Sequence, residues 1–214
     1  FNNIKKSIIF LLSCNLGEIL SLFVAILLNW PSPLLPIHIL WVNLITDSFP
    51  ALSLGVDPGD KGVMDLPPRN PKESLFAGRT GVLLILNGIL IGGITLFAFV
   101  LGEYLYPDSL RHAQTMAFVV LSVSQLFYSL AIRNETKSLL QVGIFKNKWL
   151  IGSLLLGIAL QFAIITIPFT AKVFKVYSLT LKDWGIVILI SLIPFVINEI
   201  IKIFFRAADK KRVA

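Results

Sequence analysis

Cysteine is almost missing from this sequence. Cys14 is the only one, so no disulfide can close within the chain. Histidine is nearly as rare, at two, and neither residue type clusters, which argues against a zinc or copper centre. Charge is thin as well, at 14 % of residues, where a soluble domain carries about 25 %. Acids are outnumbered, 12 against 19 Lys and Arg. There are no segments of about 10 residues alternating polar with apolar, so a transmembrane β-barrel is excluded. No similarity links the first half to the second, which argues against a 3+3 inverted-repeat transporter.

What the sequence has instead is long apolar blocks. Hydrophobic residues make up 56 % of it, and the mean hydropathy is +0.82. The blocks reach roughly 20 residues, the length a helix needs to cross about 30 Å of hydrocarbon. Six are read, at about 8–28, 34–54, 80–106, 110–132, 148–171 and 184–205. The fold expected is an all-α membrane protein, a bundle of six transmembrane helices forming one cation-binding domain over 1–214. The connecting loops 55–79 and 133–147 are polar or basic. Cys14 lies inside an apolar block and reads as a small packing residue.

The net charge of +7 does not point to nucleic acid, because the basic residues sit at the ends of apolar blocks. Their partner is the lipid bilayer. Fifteen of the 19 Lys and Arg fall on one side of the six-span topology, leaving Arg111, Lys172, Lys175 and Lys182 on the other. The positive-inside rule then places both termini and the loops 55–79 and 133–147 in the cytoplasm. Trp30, Tyr104, Tyr106, Trp149, Tyr177 and Trp184 fall at interface depth, where amphipathic rings settle. Phe1 is not an initiator Met and no signal peptide precedes the first span, so the chain is expected to belong to a longer polypeptide.

Polar residues concentrate in the first two spans. Asn15 and Glu18 are three apart and share a helix face, and Gly17 between them allows a close backbone neighbour. Asn43, Thr46 and Asp47 share a face of the second span. Pro50 withholds the N–H that the carbonyl of Thr46 would accept, so the helix is expected to unwind near Asp47. A carboxylate at the bilayer centre costs about 2.5–3.5 kcal/mol even on the mildest scale. Glu18 and Asp47 have no mid-span Lys or Arg to offset this. A divalent cation, or protons in its absence, would. Two carboxylates offer about four oxygens, and Asn15, Asn43 and Thr46 add one each, which suits calcium at about 6–8 oxygens better than magnesium. One such polar residue would read as glue between helices; five on consecutive spans, two of them acids without a base, read as a site.

At these residues the chain resembles the calcium-pumping P-type ATPases. It reads Cys14-Asn15-Leu16-Gly17-Glu18 and Trp41-Val42-Asn43-Leu44-Ile45-Thr46-Asp47, then Met64-Asp65-Leu66-Pro67-Pro68-Arg69-Asn70-Pro71-Lys72-Glu73, a run like that family's cytosolic loop. The resemblance covers essentially the whole chain, as helices five to ten of a ten-helix pump. It implies calcium as the transported ion, with Asn15, Glu18, Asn43, Thr46 and Asp47 as ligands. It implies that Asp47 bridges both ions where two are carried. As a separate expectation, Glu18 and Asp47 take up protons when calcium leaves. A Glu from the eighth helix is replaced here by Gln125, which leaves at most a weak ligand. Ser48 stands where two-site pumps have Gly. Single-ion pumps also lack the eighth-helix Glu, though many lose the counterpart of Glu18 too, so one or two ions per cycle stays open.

The family's Asp-Lys-Thr-Gly-Thr phosphorylation segment, its Thr-Gly-Glu loop and its first four helices have no counterpart in this sequence. No catalytic residue is therefore assigned here. ATP and Mg2+ are expected in the parent protein only, and the missing helices and cytosolic domains of the same pump are the expected partners. A stand-alone secondary cation transporter or channel is the alternative, and a purely structural membrane subunit the third. His38, Asn87, Glu103, Gln161, Asn198 and Glu199 read as structural, with Glu199 paired to Lys202. Asp57, Asp60 and Asp65 read as solvated loop acids.

Overall fold

The structure, a computed structural model, describes residues 1–58, 76 and 79–213. Asp60, Asp65 and the run 64–73 lie outside the described residues. Among the described residues there are no strands, and six helical stretches are long and apolar enough to cross a bilayer.

The first is α1, Asn2–Leu27. It stops where Asn29 takes a left-handed conformation, φ 54°, ahead of Pro31 and Pro33. The second span, Pro36–Gly55, is three pieces: α2 (Pro36–Trp41), a π turn (Val42–Thr46) and α3 (Ser48–Gly55). The irregularity expected around Asp47 thus takes the form of a widened turn, with the backbone N–H of Asp47 reaching back five residues to the carbonyl of Val42 at 2.9 Å. Pro50 cannot donate to Thr46, and the N–H of Ala51 goes to Asp47 at 3.0 Å. The Thr46 carbonyl is therefore released from the helix ladder.

Next come α4 (Arg79–Leu105) and α5 (Leu110–Ala131), then a short α6 (Leu139–Val142). The fifth span was expected to run unbroken through 148–171. Instead α7 ends at Thr166 and a separate helix, α8 (Pro168–Phe174), follows. Pro168 favours the first turn of a helix and leaves Ile167 extended. The sixth span is likewise split, into α9 (Leu181–Ser191) and α10 (Ile193–Val213), because Pro194 withholds a donor just past the break. It begins earlier than 184, where Thr180 and Asp183 form a capping box.

The centre of the bundle is α5. Within its span 89 % of the residues are buried, against 33–44 % in the other five. It touches α1, α4, α7, α9 and α10. It is also the span whose polar residues, Thr115, Ser122, Ser124, Gln125 and Ser129, need protein rather than lipid around them.

Helices α1 and α4 pack closely through glycine. A Cβ placed on Gly92 would lie 2.8 Å from the carbonyl oxygen of Gly17, and one on Gly88 would lie 2.6 Å from Leu16. Gly17 is thus the close-approach point its sequence suggested, and α4 is the neighbour. The contact fixes the depth of the next residue, Glu18. At the basic end of the bundle, a cavity of about 330 Å³ opens between Lys5, Thr80, Tyr128, Glu135 and Lys202.

Candidate cation site

Glu18 is the meeting point of three helices. It is only 4 % exposed, and its carboxylate accepts hydrogen bonds from Asn43 Nδ2 at 2.8 Å and Gln125 Nε2 at 3.2 Å. Those donors come from the π turn and from α5. Asn43 is itself held in place: its Nδ2 also donates to the Ile39 carbonyl at 3.1 Å, and its carbonyl accepts from Ser48 Oγ at 3.0 Å. Ser48 therefore laces the far side of the π turn to its start.

Asp47 is in a different state. It is fully buried, and among the described residues no N–H or O–H reaches either carboxylate oxygen, with the Cys14 thiol as its side-chain neighbour. Its electrostatic neighbours are Glu18 and the thiol of Cys14. No Lys, Arg or His forms an ion pair with either acid among the described residues. The Oε1 atom of Gln125 is buried and idle as well. Such groups are costly to bury without a partner, and the idle oxygens together with the released Thr46 carbonyl form a set with hard-oxygen character.

Thr46 is buried beside Asp47 in sequence and space. Asn15 is half-buried, one turn before Glu18, and no hydrogen bond joins it to the other five residues. The structure therefore brings Glu18, Asn43 and Gln125 into direct contact and places Asp47 within electrostatic range of Glu18. Among the described residues no group of three or more His, Cys, Asp or Glu could hold a metal. The oxygens available beyond the two acids come from amides, a hydroxyl and the backbone. Cys14, read as a packing residue, is buried as expected, yet its thiol is a polar neighbour of Asp47.

Other sequence readings change in place. Asp57 is not a solvated loop acid. It is buried, and its carboxylate takes contacts from Arg133, Lys6 and Asn147. Arg133, counted in sequence only as an orienting charge, is buried opposite it. His38 is structural, with its Nε2 2.8 Å from the Phe174 carbonyl oxygen and its ring stacked on Phe118. Glu199 pairs with Lys202 at 2.6 Å. Gln161, set aside as bland, contacts Trp41. An Arg directly after an apolar block and a Gln inside one were the available signals, and both are common enough to pass unnoticed.

Comparison with known proteins gives a consistent picture. Residues 31–204 match the family described as cation transporting ATPase, C-terminus. The chain is 57 % identical over 218 residues to calcium-transporting ATPase 1 of Bacillus cereus, an alignment covering 95 % of this chain and 24 % of the relative. It is 42 % identical over 194 residues to a calcium-transporting ATPase of Bacillus subtilis, covering 91 % of this chain and 22 % of the relative. A calcium-transporting ATPase of Listeria monocytogenes is 34 % identical over 204 residues, covering 95 % and 23 %. The chain thus spans about a quarter of the length of these curated relatives.

Proposed function

The chain belongs to the cation-transporting ATPase family, matching its C-terminal membrane region, and from that we propose that it supplies the calcium-binding part of an ATP-driven calcium pump. The observation that carries the reading is the fully buried carboxylate of Asp47, reached by no N–H or O–H among the described residues and within electrostatic range of Glu18. Calcium is the cargo. Glu18 and Asp47 supply the negative charge, Asn43 and Thr46 supply side-chain oxygens, Asn15 approaches from one turn away, and Gln125 is a weak further ligand. The Asn43 and Gln125 amides hold Glu18 in place. For Asn43 to ligate, its oxygen faces the ion while its Nδ2 stays on Glu18, a division of labour an amide allows.

ATP and Mg2+ act in the parent protein, in the three-quarters of the relatives' length that this chain does not match. Phosphorylation there drives the change of access; here the site residues bind, dehydrate and release the ion. When calcium leaves, two facing carboxylates in a low dielectric repel each other, and protons taken up by Glu18 and Asp47 relieve this. The bias of Lys and Arg supports a topology with both termini in the cytoplasm.

The test uses the full-length protein in membrane vesicles. ATP hydrolysis and uptake of isotopic calcium are measured across calcium, manganese and magnesium. Calcium-activated turnover that Asp47→Asn abolishes is the expected result. Turnover indifferent to calcium, or an Asp47→Asn variant with unchanged calcium dependence, overturns the reading.

A further inference from the structure

Gln161 lies within α7 in the run Ile158-Ala159-Leu160-Gln161-Phe162-Ala163-Ile164, and it is 1 % exposed. Its Oε1 accepts the indole N–H of Trp41 at 3.2 Å, while its Nε2 is buried with no partner among the described residues. A buried amide with an idle donor is a liability that an apolar side chain of the same length avoids. Packing alone therefore gives no reason for glutamine here, whereas the bond to Trp41 does.

Trp41 is the last residue of α2 and directly precedes the π turn. Its ring meets Phe174 edge-on, with centroids 5.3 Å apart. One turn earlier, His38 reaches the Phe174 carbonyl and stacks on Phe118. The six-residue α2 is thereby pinned to α5, α7 and α8. Beyond the π turn, α3 is pinned separately. Ser7 Oγ donates to the Ala51 carbonyl at 2.7 Å, and Asn147 Nδ2 donates to the Ser53 carbonyl at 2.8 Å. A turn held at both flanks has its rotation set by where those flanks are tied. Asn43, which meets Glu18, is two residues from the Trp41 tie.

We propose that Gln161 is a positioning residue for the cation site: by holding the Trp41 indole it fixes one flank of the π turn, and with it the angle at which Asn43 and Asp47 face Glu18. The inference rests on Glu18 and Asp47 being cation ligands. It assigns Gln161 no contact with the ion.

The experiment is calcium-activated ATPase of the full-length protein against free calcium. It compares Gln161→Met, Gln161→Glu, Trp41→Phe and the Gln161→Met/Trp41→Phe pair. Gln161→Met and Trp41→Phe are each expected to raise the half-activating calcium concentration about five-fold or more, with kcat held within about two-fold. The pair is expected to do no more than either alone, because both remove one bond. Gln161→Glu keeps an acceptor for the indole but buries an acid, and is expected to raise half-activation less than Gln161→Met does. The inference is overturned by unchanged half-activation in Trp41→Phe, by effects that add in the pair, or by a fall in kcat with half-activation unmoved. Should Gln161→Met fail to fold, Trp41→Phe still decides it. If Asp47→Asn leaves calcium dependence intact, it is the cation-site reading that fails, a result distinct from any of these.

Discussion

Arg133 approaches one oxygen of Asp57 with two nitrogens: Nε and Nη2 each lie 3.1 Å from Oδ1, and both side chains are 2 % exposed. Lys6 takes the other oxygen at 3.2 Å, and Asn147 adds a bond to Oδ1 at 2.9 Å. Arg133 also donates to the Gly143 carbonyl at 3.0 Å. One buried carboxylate thus ties α1, the end of the second span, the end of α5 and the start of α7. Removing one member of a buried pair strands the other, at a cost of about 3–5 kcal/mol. Arg133→Gln is expected to lower the thermal inactivation midpoint of the purified protein substantially. Lys6→Gln, at a more exposed position, is expected to cost under about 1 kcal/mol. Equal shifts for the two variants would show that Asp57 is not the hub.

Gly92 and Gly93 offer a matched pair of probes. A Cβ on Gly92 would lie 2.8 Å from the Gly17 carbonyl oxygen, whereas one on Gly93 meets nothing within 4 Å. Gly92→Ala is expected to destabilise by about 1–3 kcal/mol through forced separation of α1 and α4. Because Glu18 follows Gly17, calcium affinity in the full-length protein is expected to fall too. Gly93→Ala is expected to be neutral or slightly stabilising. Thermostability in detergent and calcium titration read both effects.

Asn43 supports Glu18 with the shorter of its two hydrogen bonds, 2.8 Å against 3.2 Å from Gln125. A bond to a charged group is worth about 1.5–3 kcal/mol, and about 1.4 kcal/mol is ten-fold in binding. Asn43→Leu is therefore expected to weaken calcium activation about ten-fold or more. Gln125→Leu removes the longer bond and is expected to weaken it less. The reverse order would mean that the Gln125 side of the site dominates.

Asn87 and Asn198 form a reciprocal amide pair between α4 and α10, with Asn87 Nδ2 donating to Asn198 Oδ1 at 3.2 Å and Asn198 Nδ2 returning a bond. Each also bonds a carbonyl four residues back on its own helix. Asn87→Leu alone leaves the buried Asn198 Oδ1 without its donor, at a cost of about 1–3 kcal/mol. The double variant Asn87→Leu/Asn198→Leu is expected to recover most of that. A double-mutant cycle on thermal stability with no coupling between the two would refute the pairing.

Much of the architecture could be read from hydropathy alone, because crossing lipid demands long apolar helices and little else satisfies the backbone. Glu18 and Asp47 stood out for the same reason: an acid without a base at bilayer depth is expensive wherever it points. Less legible were features that depend on which helix lies beside which. Asp57 has the local surroundings of a loop acid, and only the arrival of Arg133 from 76 residues away makes it a buried hub. Gln161 finds its partner 120 residues distant. The breaks at Pro168 and Pro194 had a local signal in proline itself, but continuous hydropathy across them masked it. Pro50 was recognised, yet whether the freed carbonyl opens the helix or widens it into a π turn depends on Ser48 and Asn43 closing the gap, which is a tertiary outcome.

The burial of α5 bears on how such a bundle is made. A helix that carries Thr115, Ser122, Ser124, Gln125 and Ser129 enters the bilayer poorly while those groups face acyl chains. Its finished surroundings come from α4, made before it, and from α7, α9 and α10, which leave the ribosome after it. During synthesis α5 must therefore wait, leaning on α1 and α4 or on the insertion machinery, until the last third of the chain closes around it. Truncations that stop before α9 should accordingly be recognised as unassembled and degraded, however hydrophobic the spans they retain.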